Sequence, residues 1–242
     1  MPEQTDQLIT EIIHNLGHIQ HLQLAGGEPF LMPGVGRIIS EMVATGHAQH
    51  CDLEITTNGT HVRPQWLEDW LPRFRSVVMA VSCDAVGDLA EYVRWPLKWS
   101  KWSANMHLMR SWSKAWPNCQ LTLGVTVSAC TVKALPELWR WHSDLGITAY
   151  YDVVRSPQWL MPSRAPDDIK HTTLRWIRSL PAVEAKQTGL ITNVASALTL
   201  KANHQARLIH QQHEGIRYLN AHRPITWAEA IPELRDWQPP QQ

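Results

Sequence analysis

Polar residues that could bind a small molecule follow the first two strands that the sequence predicts. The first strand is followed by Gly26-Gly27-Glu28-Pro29, in which two glycines let a ligand approach the backbone and a carboxylate could attract an ammonium group. The second strand is followed by Asn58-Gly59-Thr60, which adds amide and hydroxyl groups. Taken alone, each segment is equally compatible with a plain tight turn.

Side chains at two further strand ends could also bind polar groups of a ligand, and so could one arginine. Ser82 lies at the end of the third predicted strand and Asp84 directly follows it, and Thr126 and Ser128 close the fourth. The guanidinium group of Arg94 is suited to a carboxylate through paired hydrogen bonds. Singly, these residues are also typical of a turn, a helix N-cap at Asp84 or a solvated arginine. Because the carboxyl ends of parallel strands converge, their order predicts one ligand-binding edge.

The elements that must position these residues alternate between strand and helix patterns. Strands are predicted over about 18–25, 51–57, 76–83, 121–128 and 147–154. Helical spacing precedes and separates them, which indicates a parallel β/α architecture. Since the chain opens on a helical pattern over 5–16, the predicted α/β fold is a partial β/α (TIM-like) barrel lacking its first strand. The predicted domains are this barrel over 1–160 and a helical C-terminal extension over 161–242.

Charge and hydropathy exclude several classes of partner. The 242 residues contain 22 Lys plus Arg and 22 Asp plus Glu, so a zero formal net charge argues against nucleic acid or an anionic membrane. The N-terminus is polar rather than signal-like, and no apolar run has the length of a membrane span. We therefore expect a soluble cytoplasmic protein.

The four cysteines are too scattered to form a compact metal site. Cys51, Cys83, Cys119 and Cys130 are separated by 32, 36 and 11 residues. Metal-binding cysteines in structural sites normally occur in closely spaced pairs. Each cysteine lies in or beside a predicted strand, so we expect all four to be inert core residues.

Three tryptophans recur at helical spacing between the third and fourth strands. Trp95, Trp99 and Trp102 follow an i, i+4, i+7 pattern. This pattern predicts an amphipathic helix that buries its aromatic face, with a wall of a substrate pocket as the alternative.

Motifs in a fixed order give the sequence a family resemblance. LAGGEPFLMP, ITTNGT and VSCDAVGDLAEYVRWPLKW, followed by Asn105, resemble the GGEP, NTNGT-like, SIDG-like and YIRYPxKW-like motifs of radical S-adenosylmethionine (SAM) proteins with a twitch domain. RSPQWLMPSRAP over 155–166 resembles the stretch leading into the family's C-terminal extension, and Gly215–Leu234 is similar to its tail. The resemblance covers roughly residues 20–235.

The resemblance implies a SAM site with a role for each matching residue. The GGEP residues would bind the amino group of SAM, Ser82 and Asp84 would face its ribose, and Arg94 would meet its carboxylate. Ala85 occupies the position where the family has glycine, and its side chain leaves less space in that turn. The cofactor-binding residues implied in this way are Gly26, Gly27, Glu28, Pro29, Asn58, Ser82, Asp84, Arg94, Thr126 and Ser128.

The resemblance also implies a reaction. Radical SAM enzymes hold a 4Fe–4S cluster in a C-x3-C-x2-C loop and cleave SAM reductively to a 5′-deoxyadenosyl radical. By resemblance, the complete protein would modify a peptide or small-molecule substrate and receive electrons from a donor protein. No cysteine precedes Cys51 or follows Cys130, so the cluster ligands are absent and the chain as written is expected to be inactive alone. We interpret this absence and the absent first strand as signs of an N-terminally incomplete sequence.

Two other functions are compatible with the residues. A cluster-free, degenerate barrel would bind SAM or a protein partner without redox chemistry. An ordinary β/α-barrel lyase or isomerase would use Glu28 and Asp84 as acid and base, although the ordered motifs count against it.

Overall fold

Five strands form the central sheet of this protein. The structure is a computed structural model that describes residues 2–200 and 206–231. In the described residues the sheet is parallel and its strands follow the order β1-β2-β3-β4-β5, which confirms the predicted α/β partial-barrel fold. Their bounds are β1 His21–Leu24, β2 Asp52–Thr57, β3 Ser76–Ser82, β4 Cys119–Val127 and β5 Thr148–Val153.

Helices precede, separate and follow the strands. The first five are α1 Pro2–His14, α2 Pro33–Ala44, α3 Gly87–Val93, α4 Trp99–Ala115 and α5 Leu135–Asp144. After β5 come α6 Asp167–Ser179, α7 Ala182–Gln187, α8 Ser196–Thr199, α9 Ala206–Ala221 and α10 Trp227–Ala230. Across the described part of the chain, no helix is both long and apolar enough to cross a membrane.

The segment after β2 differs from the regular helix that its sequence predicts. It forms a π-helical turn over Trp66–Trp70 and then a 3-10 turn over Leu71–Arg73. Pro72 has no backbone N–H to donate to an α-helical ladder, which accounts for the interruption. Trp66 still stacks on Trp70, with ring centroids 5.8 Å apart, so the aromatic face is kept.

The register of the first three strands explains their burial. Leu53 of β2 pairs with Leu22 on one side and with Val77 on the other. Alternate residues then share one face, and Leu53, Ile55 and Val77 are fully buried there. The buried face requires helices over it, as is usual for parallel sheets.

The chain divides into two compact units. The first comprises Met1–Ser82 and Ser100–Leu123, and the second comprises Cys83–Trp99 and Gly124–Gln242. β1 to β3 therefore belong to the first unit and β5 to the second, while β4 has residues in both. The predicted domain division at residue 160 stays a prediction.

A buried histidine lies in the core of the second unit. His142 of α5 is 3% exposed; its Nδ1 lies 2.8 Å from the carbonyl oxygen of Ile147 and its Nε2 lies 2.9 Å from Tyr151 Oη. Because a carbonyl only accepts, Nδ1 carries the proton and Nε2 accepts the Tyr151 hydroxyl proton. Burial lowers the pKa of His142, so the folded protein favours the neutral imidazole.

We expect the free energy of unfolding to fall as the pH drops below about 6.5, the ordinary pKa of histidine. In that range the unfolded chain binds a proton that folded His142 does not, which contributes a slope of up to about 1.4 kcal/mol per pH unit until the lowered folded pKa is reached. Urea denaturation at about pH 7.5 and about pH 5.5 measures this, and His142→Gln should lose that part of the pH dependence.

The matched control is His107→Gln, since His107 is exposed on α4. It should retain the pH dependence of the wild-type protein. An unchanged pH dependence in His142→Gln would show that another group titrates.

Candidate functional site

A buried carboxylate joins the loops that follow β1 and β2 in the first unit. Glu28 is 8% exposed. Its Oε1 accepts hydrogen bonds from Thr57 Oγ1 at 2.6 Å and from the backbone N–H of Phe30 at 3.3 Å. Its Oε2 accepts one from the backbone N–H of Asn58 at 2.8 Å. The set formed by the two loops is called here the glycine-loop cluster and comprises Gly26, Gly27, Glu28, Thr57 and Asn58.

The contacts of Glu28 give it a positioning role. Its carboxylate accepts bonds from three donors of the protein itself, so it fixes the GGEP loop against the end of β2. A direct contact between Glu28 and the amino group of a ligand stays a prediction.

The two glycines present their backbone to solvent. Gly26 and Gly27 have φ angles of +88° and +59° and are exposed. A Cβ placed on Gly26 would meet no atom within 4 Å, so open space adjoins the loop there. Pro29, by contrast, is buried and begins the 3-10 turn Pro29–Leu31. Gly26 and Gly27 are therefore the accessible part of the predicted GGEP site.

Two side chains from α4 hold the Asn58-Gly59 turn. Trp102 Nε1 donates to the carbonyl oxygen of Asn58 at 2.9 Å, and Asn105 Nδ2 donates to that of Gly59 at 2.9 Å. Gly59 has a φ of +70°, and a Cβ there would overlap the Trp102 ring. Trp102 is buried, which confirms the predicted core position, whereas Trp95 is 40% exposed. The helical spacing gave no sign that Trp102 also supports this turn.

A second group of predicted residues comes together in the second unit. Asp84 Oδ1 accepts the backbone N–H of Thr126 at 2.8 Å, and Asp84 Oδ2 lies 2.8 Å from Arg94 Nε. The second contact is ionic and lacks hydrogen-bond alignment. These three residues are called here the Asp84 cluster. In the described residues the helix N-cap suggested for Asp84 is absent, since Val86 holds that position for α3.

Arg94 keeps part of its guanidinium group available. Its side chain is 25% exposed and that of Asp84 is 15% exposed. Over residues 2–200 and 206–231, the Nη1 and Nη2 atoms of Arg94 have no hydrogen-bond partner. The ion pair with Asp84 therefore fixes one side of the guanidinium group and leaves two nitrogens for an anionic group.

The remaining predicted residues have local or separate positions. Ser82 is half-buried and ends β3 in the first unit. Ser128 is buried, and its contacts lie in its own turn, where its N–H donates to Thr131 Oγ1 at 2.9 Å. Ala85, which replaces the glycine of the family motif, is fully buried.

The cysteines do not fit an iron–sulfur cluster. Cys51, Cys83, Cys119 and Cys130 are all free and buried, which confirms their predicted core positions. Burial raises the pKa of Cys83, Cys119 and Cys130 to about 12 and also raises that of Cys51, whereas cluster ligation requires thiolates. Within the described residues, no three His, Cys, Asp or Glu side chains lie together as a metal site.

No protein-family model matches the sequence, and no curated protein matches it significantly. Solved structures do match the fold. Native anSMEcpe with bound AdoMet (SAM) and the Cp18Cys peptide has a TM-score of 0.52 at 11% identity, covering 71% of this chain and 51% of that chain. Native anSMEcpe with bound AdoMet has a TM-score of 0.51 at 12% identity, covering 72% and 50%.

These neighbours are radical SAM enzymes, and what they share with this chain is the fold. The chain spans about half the length of the solved structures it matches. The comparison therefore supports the partial barrel without assigning a reaction to it.

Replacing Glu28 with Gln should lower the free energy of unfolding by about 1–3 kcal/mol. The NH2 group of glutamine cannot accept the hydrogen bond that a carboxylate oxygen accepts at the same place, so one buried donor would lose its partner. Urea denaturation measures the change. The matched control is Glu54→Gln on β2, where the side chain is 45% exposed and the effect should stay within about 0.5 kcal/mol. Equal effects at the two positions would contradict the anchoring role of Glu28.

The folded chain should not assemble a cluster with its own cysteines. Anaerobic incubation with ferrous iron and sulfide should leave background iron and no visible cluster absorption. Ellman's reagent should react slowly before unfolding and with all four thiols after it, because buried thiols with raised pKa values are poor nucleophiles. Stoichiometric iron that is lost in Cys83→Ser would contradict this expectation.

Proposed function

We propose that this chain is the SAM-binding part of a radical SAM protein. The support is the order of its motifs, the parallel partial barrel and the fold shared with radical SAM enzymes whose structures contain bound AdoMet. A twitch-type C-terminal extension is part of this proposal.

The observation that carries the proposal is the anchored guanidinium group of Arg94. Asp84 holds its Nε side, while Nη1 and Nη2 are without hydrogen-bond partners in the described residues. A guanidinium group held in this way can bind a carboxylate with little loss of side-chain freedom. Arg94 lies in the segment YVRWPLKW, where the resemblance assigns it to the carboxylate of SAM.

The glycine-loop cluster has the chemistry for an ammonium group. Gly26 and Gly27 are exposed, and backbone carbonyl groups at exposed positions can accept hydrogen bonds from an ammonium group. The buried carboxylate of Glu28 places negative charge under the same loop. The motif resemblance gives the amino group of SAM to this loop, and that assignment stays a prediction for the first unit alone.

The described residues support binding of SAM rather than its cleavage. When bound, a 4Fe–4S cluster supplies the electron that cleaves SAM, and the buried cysteines of this chain do not fit one. The cysteines of this chain would therefore not be the ligands of such a cluster. A peptide or small-molecule substrate and an electron-donor protein are proposed for the complete enzyme only.

A cluster-free binding protein is the second candidate. The raised pKa values of the buried cysteines favour it, because they argue against iron ligation by this chain. This candidate binds SAM or a protein partner without redox chemistry. If it binds SAM, the two candidates differ in whether a chain carrying C-x3-C-x2-C restores SAM cleavage. The lyase or isomerase alternative is less suited to the structure, since both Glu28 and Asp84 have partners within the protein.

Arg94→Gln should weaken SAM binding about tenfold to a hundredfold, because a hydrogen bond to a charged group contributes about 1.5–3 kcal/mol. Its affinity for decarboxylated SAM should equal that of the wild-type protein, since that ligand has no carboxylate. Isothermal titration calorimetry with both ligands measures the difference.

The matched control for this experiment is Arg155→Gln. Arg155 is 71% exposed and pairs with Asp152 at the end of β5. It should bind both ligands like the wild-type protein. Wild-type affinity of Arg94→Gln for SAM would remove the main support for the proposed site.

A further inference from the structure

Two residues of the C-terminal helical segment contact the helix that leads to Arg94. Arg223 Nε donates to the carbonyl oxygen of Tyr92 at 3.0 Å, and the Tyr92 hydroxyl donates to Asn220 Oδ1 at 3.0 Å. Tyr92 is fully buried in the last turn of α3. All four residues, Arg94 included, belong to the second unit.

The Arg223 contact caps the carboxyl end of α3. The last carbonyl groups of a helix have no partner within the helix, and a cation there also interacts favourably with the helix dipole. Ala90 already accepts the N–H of Arg94 at 3.0 Å, which makes Arg94 the C-cap residue. Arg223 donates to the carbonyl oxygen of Tyr92, which lies two residues after Ala90. It therefore fixes the turn that carries the Arg94 side chain.

The segment that carries Asn220 and Arg223 is itself held in place. Glu229 Oε2 accepts hydrogen bonds from the Thr226 backbone N–H at 2.6 Å and from Thr226 Oγ1 at 2.8 Å, which fixes the start of α10. α10 packs against α3. At the other end of the segment, Gly215 of α9 lies directly against the ring of Trp159.

We propose that Asn220 and Arg223 are positioning residues for Arg94 and hence for the carboxylate of SAM. Asp84 fixes the guanidinium group from one side. Arg223 fixes the backbone at Tyr92, and Asn220 holds the Tyr92 side chain. The inference rests on the proposed function, because it requires Arg94 to bind that carboxylate. It assigns the C-terminal helices a part in ligand selection.

The test compares SAM with decarboxylated SAM in wild-type protein, Arg223→Gln, Arg94→Gln and the double variant. Arg223→Gln should weaken SAM binding about three- to tenfold, since coupled neighbours typically interact by about 0.5–3 kcal/mol. It should leave decarboxylated SAM unaffected. In the Arg94→Gln background, Arg223→Gln should have no further effect on SAM.

The outcomes separate this inference from the proposed function. If Arg94→Gln discriminates between the two ligands and Arg223→Gln does not, the positioning role is wrong while the SAM site stands. Equal weakening of both ligands by Arg223→Gln, or additive effects in the double variant, would also overturn the positioning role. If Arg94→Gln itself fails to discriminate, the proposed function is wrong.

Three further measurements guard against a general loss of structure. Tyr92→Phe removes only the hydroxyl that contacts Asn220, and it should reproduce the selective loss of SAM affinity to a smaller extent. Arg223→Lys keeps a cation at that position and should retain part of the SAM affinity that Arg223→Gln loses. Arg217→Gln is the control on α9, because its side chain is 73% exposed and pairs with Glu214.

Hydrogen exchange of the wild-type protein needs no variant. SAM should slow exchange over 206–231 more than decarboxylated SAM does, since coupling between two sites is reciprocal. Equal protection by the two ligands would overturn the inference.

Discussion

The carboxylate of Glu28 is the interaction on which the loop edge of the first unit depends. It accepts hydrogen bonds from the loop that carries it and from the loop after β2, so two segments about thirty residues apart share one buried charge. A buried carboxylate is tolerated only when its oxygens have such partners. The exposed backbone of Gly26 and Gly27 follows from this, because the loop must turn its carboxylate inward and its glycines outward.

The Asp84 cluster also depends on an acidic side chain whose partners lie within the protein. Asp84 accepts from the backbone of Thr126 with one oxygen and faces Arg94 with the other. An arginine held by one acid has a defined direction and keeps spare donors, which a freely moving surface arginine does not. In both clusters, an acidic residue with partners in the protein sets the geometry of a neighbouring group, which is the glycine loop beside Glu28 and the guanidinium group of Arg94 beside Asp84.

Much of the fold was predictable because it depends on local patterns. Alternation and β-branched runs located all five strands. The role of Glu28 was not predictable, because a GGEP segment looks the same whether its carboxylate faces a ligand or the end of the next strand. The pairing of Asp84 with Arg94 and the contact of Arg223 with Tyr92 depend on tertiary placement, which no spacing rule encodes. The hydrogen bond from Thr57 to Glu28 was also not predictable, since a threonine at the end of a strand is common.

The close contact between Gly215 and Trp159 has a consequence for how this protein can vary. Glycine in the interior of a helix costs about 1 kcal/mol relative to alanine, so α9 would be more stable in isolation with almost any other residue there. In the folded chain, the Cβ of any such residue would overlap the indole ring of Trp159. A deep mutational scan would therefore find position 215 intolerant even of alanine, the substitution that helices usually accept most readily. Tolerance should return only in combination with a smaller side chain at position 159, so these two positions can change together more easily than either can change alone.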